Sequence, residues 1–179
     1  LAATQATVED DIADAQPGKI LHEMRHGEMA RLGEVPFGFY YGTVDATPLF
    51  VMLAGMYLER TGDLATIKEL WPNITAALHW IDRYGDCDDD GFVEYARANE
   101  QGLSNQGWKD SYDAIFHADG RDPTGPIALC EVQGYVFGAK LNAALMARRL
   151  GLSDTATRLS MEAELLRQEF EAKLWCEEL

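Results

Sequence analysis

Residues 105–120, NQGWKDSYDAIFHADG, gather a tryptophan, a lysine, carboxylates and amides with almost no helical or strand periodicity to organise them. Side chains of these kinds suit a sugar: its rings stack on tryptophan or tyrosine, while carboxylates and amides pair with its hydroxyls. Hydrolysis of a glycosidic bond needs in addition one carboxylic acid to protonate the leaving oxygen and a second carboxylate to drive the attack. Asp110, two residues after Trp108 in a glycine-flanked loop, is the candidate acid. A stacking platform and an apolar wall would raise its pKa, whereas Lys109 or Arg25 beside it would favour the charged form.

Three further segments carry related chemistry: HEMRHGE with Glu23 and Arg25, YYGTVDATP with Tyr41 and Asp45, and ALCEVQGY with Glu131 and Gln133. Asp113 follows in the same loop as Asp110. Each has a plainer structural reading. A loop aspartate commonly forms a turn or caps a helix, and Asp45, two residues ahead of Thr47, could act only as such a cap. Glu131 falls in an apolar run, where a carboxylate is costly unless paired or open to a polar cavity; Arg25 or Lys140 would be its ion-pair partner.

The elements that must position these loops are helices. Thr47 and Pro48 open an apolar run to Arg60 that Gly62 ends, and Asp63 opens an amphipathic run with Ile67, Leu70, Ile74, Leu78 and Ile81 on one stripe. Pro72 is expected to break that run and start a second piece ending at Gly85. Pro126 is expected to open a second mostly apolar run to Leu150, closed by Gly151, and Ser153 to cap a helix with Leu159, Ala163, Leu166 and Phe170 on one face. The first helix of each pair is apolar on most faces and the second on one stripe, as an inner and an outer ring require. The fold class expected is all-α: part of an (α/α)6 toroid of helical hairpins with long rim loops and a minor β-hairpin. If both inner helices start at one rim, Asp45 and the 105–120 loop converge there.

DCDDDGFVEY places Asp86, Asp88, Asp90 and Gly91 as in the first half of an EF-hand loop, but the twelfth position, which should bring a bidentate glutamate, is Arg97. The reading is an acidic turn running into a short strand over residues 92–95, with a calcium ion at Asp86, Asp88 and Asp90 as the alternative; no other cofactor is expected. His22, His26, His79 and His117 lack metal-ligand spacing. Cys87, Cys130 and Cys176 form no CxxC pair and fit a reducing, cytoplasmic location better than a disulfide framework. The chain of 179 residues carries a formal net charge of -15, which repels nucleic acid and anionic membranes. Its longest apolar stretch is too short to span a bilayer.

GKILHEMRHGEMA, FGFYYGTVDATPLFV, LWPNITAALHWI with DDDGFVEY, NQGWKDSYDAI and LWCEEL, in that order, resemble successive blocks of the bacterial amylo-α-1,6-glucosidase or glycogen-debranching-type glycoside hydrolases. The resemblance covers nearly the whole chain from Gly18 onward. It implies an (α/α)6 barrel and an inverting mechanism on α-glucosidic or related bonds. It further implies a general acid at the aspartate of a Trp-x-Asp motif, matching Trp108, Lys109 and Asp110, with Asp45 and the Glu131 region lining the sugar subsite. The general base of such enzymes is a glutamate downstream of LWCEEL, so Glu177 and Glu178 do not match it.

Six hairpins at ~20 residues per helix plus loops need well over ~300 residues. Two complete hairpins are legible here, so the expectation is an acidic lead-in over residues 1–17 followed, over 18–179, by the N-terminal part of a truncated barrel domain, inactive by itself. Its partners would be an oligosaccharide or polysaccharide, and the open edge of inner helices would favour self-association. Trehalase-like or mannosylglycerate-hydrolase-like specificity on the same fold, and a non-catalytic carbohydrate-binding domain, are the alternatives. A scaffold for protein partners is disfavoured by the richness of the loops.

Overall fold

The computed structural model describes residues 1–109 and 111–176. After a 3-10 turn (Ala2–Thr4), the elements in chain order are β1 (Glu23–Met24), α1 (Glu28–Arg31), β2 (Phe39–Tyr40), α2 (Ala46–Thr61), α3 (Leu64–Arg83), β3 (Glu94–Tyr95), β4 (Ile127–Ala128), α4 (Cys130–Arg149) and α5 (Ser153–Lys173). The chain is mostly helical, as expected, with two small antiparallel pairs, β1 with β2 and β3 with β4. Among the described residues no helix is long and apolar enough to cross a membrane.

Two helical hairpins form the body. Gly62, at φ 69°, caps α2 in the left-handed conformation that favours glycine. Asp63 then caps α3 by accepting from the Thr66 amide, and the Tyr57 hydroxyl donates to its other oxygen at 2.8 Å, closing the corner. The second hairpin is fastened along its length: Lys140 pairs with Glu162 at 3.0 Å, and Arg148 donates to Ser160 at 2.8 Å, so α5 runs back along α4.

α2 and α4 run in the same direction. A Cβ on Gly138 would sit 3.1 Å from the Met52 methyl, and one on Gly55 would fall 2.1 Å from Asn142 Oδ1. Residue numbers therefore rise together along the contact, and the two glycines allow the helices to approach closely. Val51, Ala54, Leu58, Val132, Val136, Ala139, Ala143 and Met146 fill the core between them and the outer helices. Both helices that were expected to be inner thus lie side by side and parallel, with α3 and α5 returning outside them.

Two boundaries differ from the sequence reading. α3 runs unbroken through Pro72, which is exposed, so the carbonyl that it leaves without an amide partner faces water at low cost. α4 begins at Cys130 rather than at Pro126, because Ile127 and Ala128 pair with Tyr95 and Glu94 and hold the chain extended.

The acidic segment at the start packs against the body. Gln5 donates to the carbonyls of Gly18 and Asn73, Trp80 donates to Gln16 at 2.8 Å, and Tyr41 packs on Ala6 and Ala15. Gly18, at φ 94°, passes so close to α3 that a Cβ would meet the Ala76 carbonyl oxygen at 2.1 Å.

Candidate functional site

The loop over residues 105–109 spans the starts of α2 and α4. The Val44 amide, just ahead of α2, donates to the Gln106 carbonyl at 2.9 Å, and the Trp108 indole donates to Glu131 Oε1, in the first turn of α4, at 2.9 Å. The parallel course of α2 and α4 makes this possible, since both helices open at the same rim.

A buried network of amides and one carboxylate supports the loop. Asn105 Nδ2 donates to the carbonyls of Lys109 (2.6 Å) and Ser111 (3.0 Å), while its Oδ1 accepts from the Gly107 amide and the Tyr95 hydroxyl. Gln106 donates to Asp14, which also accepts from the Tyr40 hydroxyl at 2.7 Å and the Ala98 amide at 2.8 Å. Burial, with the Asp14 carboxylate next, pushes the Tyr40 phenol well above its ordinary value. This hydroxyl stays protonated and also accepts from the Leu103 amide at 2.7 Å, so the chain on both sides of the loop is fixed.

The candidate residues separate into those at the rim and those that are not. Asp110 lies outside the described residues; the carbonyls on either side of it are the pair held by Asn105. Trp108 is 62% exposed, and Lys109, also exposed, carries its ammonium 5.8 Å from the Trp108 ring centre. Glu131 is half-buried, takes the indole N–H and also accepts from the Cys130 thiol. Neither sequence-expected ion pair holds it, because Lys140 binds Asp82 and Glu162, and Arg25 binds Glu23. Asp45 stands at the N-cap position of α2, but its side chain makes no capping bond and accepts instead from the Thr43 hydroxyl. The plainer reading of Asp45, a side-chain cap of α2, is therefore not what the structure shows.

Asp113 is exposed farther along the loop. Arg25 is exposed over the Phe37 ring, at 4.4 Å, on the β1–β2 hairpin. Tyr41 is buried and donates to the Thr4 carbonyl, facing the N-terminal segment. Gln133 is 1% exposed, accepts from the Val93 amide through Oε1 and donates to the Val93 carbonyl through Nε2, which leaves it a structural tie between α4 and the approach to β3. Asn105, Gln106 and Asp14 are the supports that sequence reasoning missed; adjacent amides just ahead of a Trp-x-Asp were the signal for the first two.

The acidic turn is as expected in kind, and it gains a member. Among the described residues, Asp86, Asp88, Asp90 and Glu94 each bring a carboxylate oxygen within 4.8 Å of the others, a group that could hold a metal ion. The Asp86 oxygens accept from the amides of Asp90 and Gly91, and Asp90 accepts from Phe92. Glu94 is buried, and burial, then the charge of Asp88 and a hydrogen bond shared with its carboxyl, then the charge of Asp90, push the Glu94 carboxyl up to about 7. The three cysteines are free and exposed.

A hollow of about 240 Å³ under the N-terminal segment is lined by Asp14, Lys19, Trp80, Tyr84, Glu94 and Tyr95, among others. Lys19 is buried there, donates to the Asp14 carbonyl, and is pulled down to about 8 by burial against the opposing pull of Asp14.

Protein-family models and curated proteins were both compared with the chain, and neither comparison gives a match.

Proposed function

We propose that the chain is part of a glycoside hydrolase that cleaves α-glucosidic bonds, of the amylo-α-1,6-glucosidase or glycogen-debranching type, with Asp110 as general acid. The observation that carries this reading is the loop with exposed Trp108, bonded across to Glu131 and spanning the starts of two parallel inner helices. An indole fixed at its N–H edge and open on its face is a stacking platform for a sugar ring. Parallel inner helices with returning outer ones are what successive hairpins of an (α/α)6 ring require.

In the proposed step the Asp110 carboxylic acid gives its proton to the glycosidic oxygen as the bond from the anomeric carbon to that oxygen breaks. A water forms the new bond to the anomeric carbon from the opposite face and loses its proton to a glutamate supplied by chain beyond residue 179. Asp45 and Glu131 flank the sugar, Lys109 balances their charge, and Asp113 and Arg25 belong to the outer rim. The substrate is an oligosaccharide or polysaccharide, the location cytoplasmic. Leu49, Leu53 and Met56, exposed on α2, are the face through which the isolated piece would self-associate. The all-oxygen donors of the acidic turn suit calcium over softer metals.

Trehalase-like or mannosylglycerate-hydrolase-like specificity uses the same platform with a different neighbouring subsite. A non-catalytic carbohydrate-binding domain is the second reading, favoured by the exposure of Trp108, which binding needs and hydrolysis alone does not. The test is the anomer that the full-length protein first releases from an α-linked maltooligosaccharide, followed by proton NMR. Initial release of β-glucose is expected; α-glucose would rule out the inverting arrangement, and binding without release would favour the non-catalytic domain.

A further inference from the structure

The acidic turn carries an assignment that is independent of the glycosidase reading. We propose that Asp86, Asp88, Asp90 and the buried Glu94 form a calcium site that ties the end of α3 to strand β3 and, through it, steadies the rim loop.

The spacing is that of an EF-hand loop with its closing ligand moved. Counting Asp86 as first, Asp88 and Asp90 fall third and fifth, and Gly91, at φ 91°, makes the turn at the sixth position. The twelfth residue is Arg97, which cannot close the loop. Glu94 stands ninth. In an EF-hand the chain leaves the loop as a helix; here it leaves as β3, both of whose residues, the ninth included, are buried.

Geometry agrees with an ion of this size. Oxygens on opposite sides of a calcium ion, each about 2.3–2.6 Å from it, stand roughly 5 Å apart. The four carboxylates each offer an oxygen within 4.8 Å of the rest, a spacing of the size that ligands of one such ion take.

The turn's own hydrogen bonds explain Asp86 and Asp90, which accept amides from within the loop. They do not explain Glu94. That side chain is 6% exposed, and its Oε2 has no hydrogen-bond partner among the described residues. A buried carboxylate oxygen without a partner is costly, and three more carboxylates beside it increase the cost. Among the described residues no arginine or lysine forms an ion pair with any of the four. Lys173 reaches only the Asp90 carbonyl at 3.3 Å and pairs with Glu169, and Lys19, which lines the same hollow as Glu94, gives its ammonium to the Asp14 carbonyl. A divalent cation supplies the missing partner.

The consequence reaches the rim. The Glu94 amide donates to Gly85 at the end of α3, Val93 is held by Gln133, and the Tyr95 hydroxyl donates to Asn105, which fixes the carbonyls of Lys109 and Ser111. An ion that fixes Glu94 fixes the strand that steadies this chain of bonds.

The test is calorimetric titration of the chelator-treated full-length protein with calcium chloride, with thermal melting recorded in parallel and magnesium as the comparison ion. One calcium per turn and a melting temperature higher by several degrees in millimolar calcium are expected, with magnesium much weaker. Glu94→Gln is expected to bind calcium about tenfold or more weakly, because affinity follows the number of charged ligands. Should that variant fail to fold, Asp88→Asn, at an exposed position, is expected to show the same direction of change. The proposal is overturned if the wild-type protein gives no saturable heat and no melting shift, or if the folded variants bind calcium as the wild type does.

Discussion

The Trp108 indole N–H and Glu131 Oε1 stand 2.9 Å apart, joining the middle of the rim loop to the first turn of α4. The bond fixes one edge of an otherwise exposed ring, so loss of the ring and loss of the bond are expected to differ. Trp108→Ala is expected to weaken maltooligosaccharide binding about tenfold, equivalent to ~1.4 kcal/mol. Glu131→Gln keeps an oxygen that accepts the indole N–H and is expected to cost less. Both should leave urea stability within about 0.5 kcal/mol of wild type, since Trp108 is exposed. Titration of intrinsic fluorescence with maltooligosaccharides separates the two variants, and unchanged affinity in Trp108→Ala would remove the platform from the account.

Asn105 is buried with its donor and acceptor sides both used. Asn105→Ala leaves the Tyr95 hydroxyl, the Gly107 amide and two carbonyls without their partner, at a cost of about 1–3 kcal/mol. Urea denaturation is expected to show that loss, and limited proteolysis to show faster cutting within residues 107–113. Cutting at the wild-type rate would mean that other contacts hold the loop.

The parallel contact of α2 with α4 depends on glycine at position 55. Gly55→Ala places a methyl where the Asn142 side chain lies, with Asn142 Cβ only 2.5 Å away. Overpacking of this kind costs about 1–3 kcal/mol. The double variant Gly55→Ala with Asn142→Ala should recover most of the loss in a denaturation cycle; additive losses would show that the two positions do not meet.

The hairpins were legible in the sequence because they rest on local signals: Gly62 and Asp63 mark the corner between α2 and α3, and Gly151, at φ 82°, marks the one between α4 and α5. Pro72 misled because a proline's cost depends on whether the carbonyl four residues earlier meets water, which tertiary position decides. The late start of α4 was hidden because Ile127 and Ala128 pair with a strand more than thirty residues earlier. Of the candidates chosen by residue type, Trp108, Lys109 and Glu131 lie together at the start of α4. Tyr41 and Gln133 have the same chemistry on paper, but their partners, Thr4 and Val93, are distant in sequence and occupy them. The role of Asp14, in a segment read as a lead-in, depends on Tyr40, Ala98 and Gln106 and has no local signature.

Lys19 gives the fold a pH dependence of definite sign. Its folded value of about 8 lies below the ordinary 10.5, so between these values the unfolded chain holds a proton that the folded chain has released. Stability from this group therefore rises with pH across that window, by at most about 1.4 kcal/mol per unit. Buried tyrosines raised above their ordinary value, Tyr40 and Tyr41 among them, act in the opposite direction above about pH 10. Urea denaturation at pH 7.5, 8.5 and 9.5, compared with Lys19→Met, isolates the lysine: the wild type should gain on the variant as pH rises, and parallel curves would contradict the assignment.

The most direct measurement of the central claim is glucose release from maltooligosaccharides and a 1,6-branched limit dextrin by the full-length protein and its Asp110→Asn variant, with binding measured alongside. The expected result is turnover by the wild type and a loss of at least about a hundredfold in the variant, with affinity retained, as removal of a general acid requires. Equal turnover by the two proteins, or binding by both with hydrolysis by neither, would contradict it.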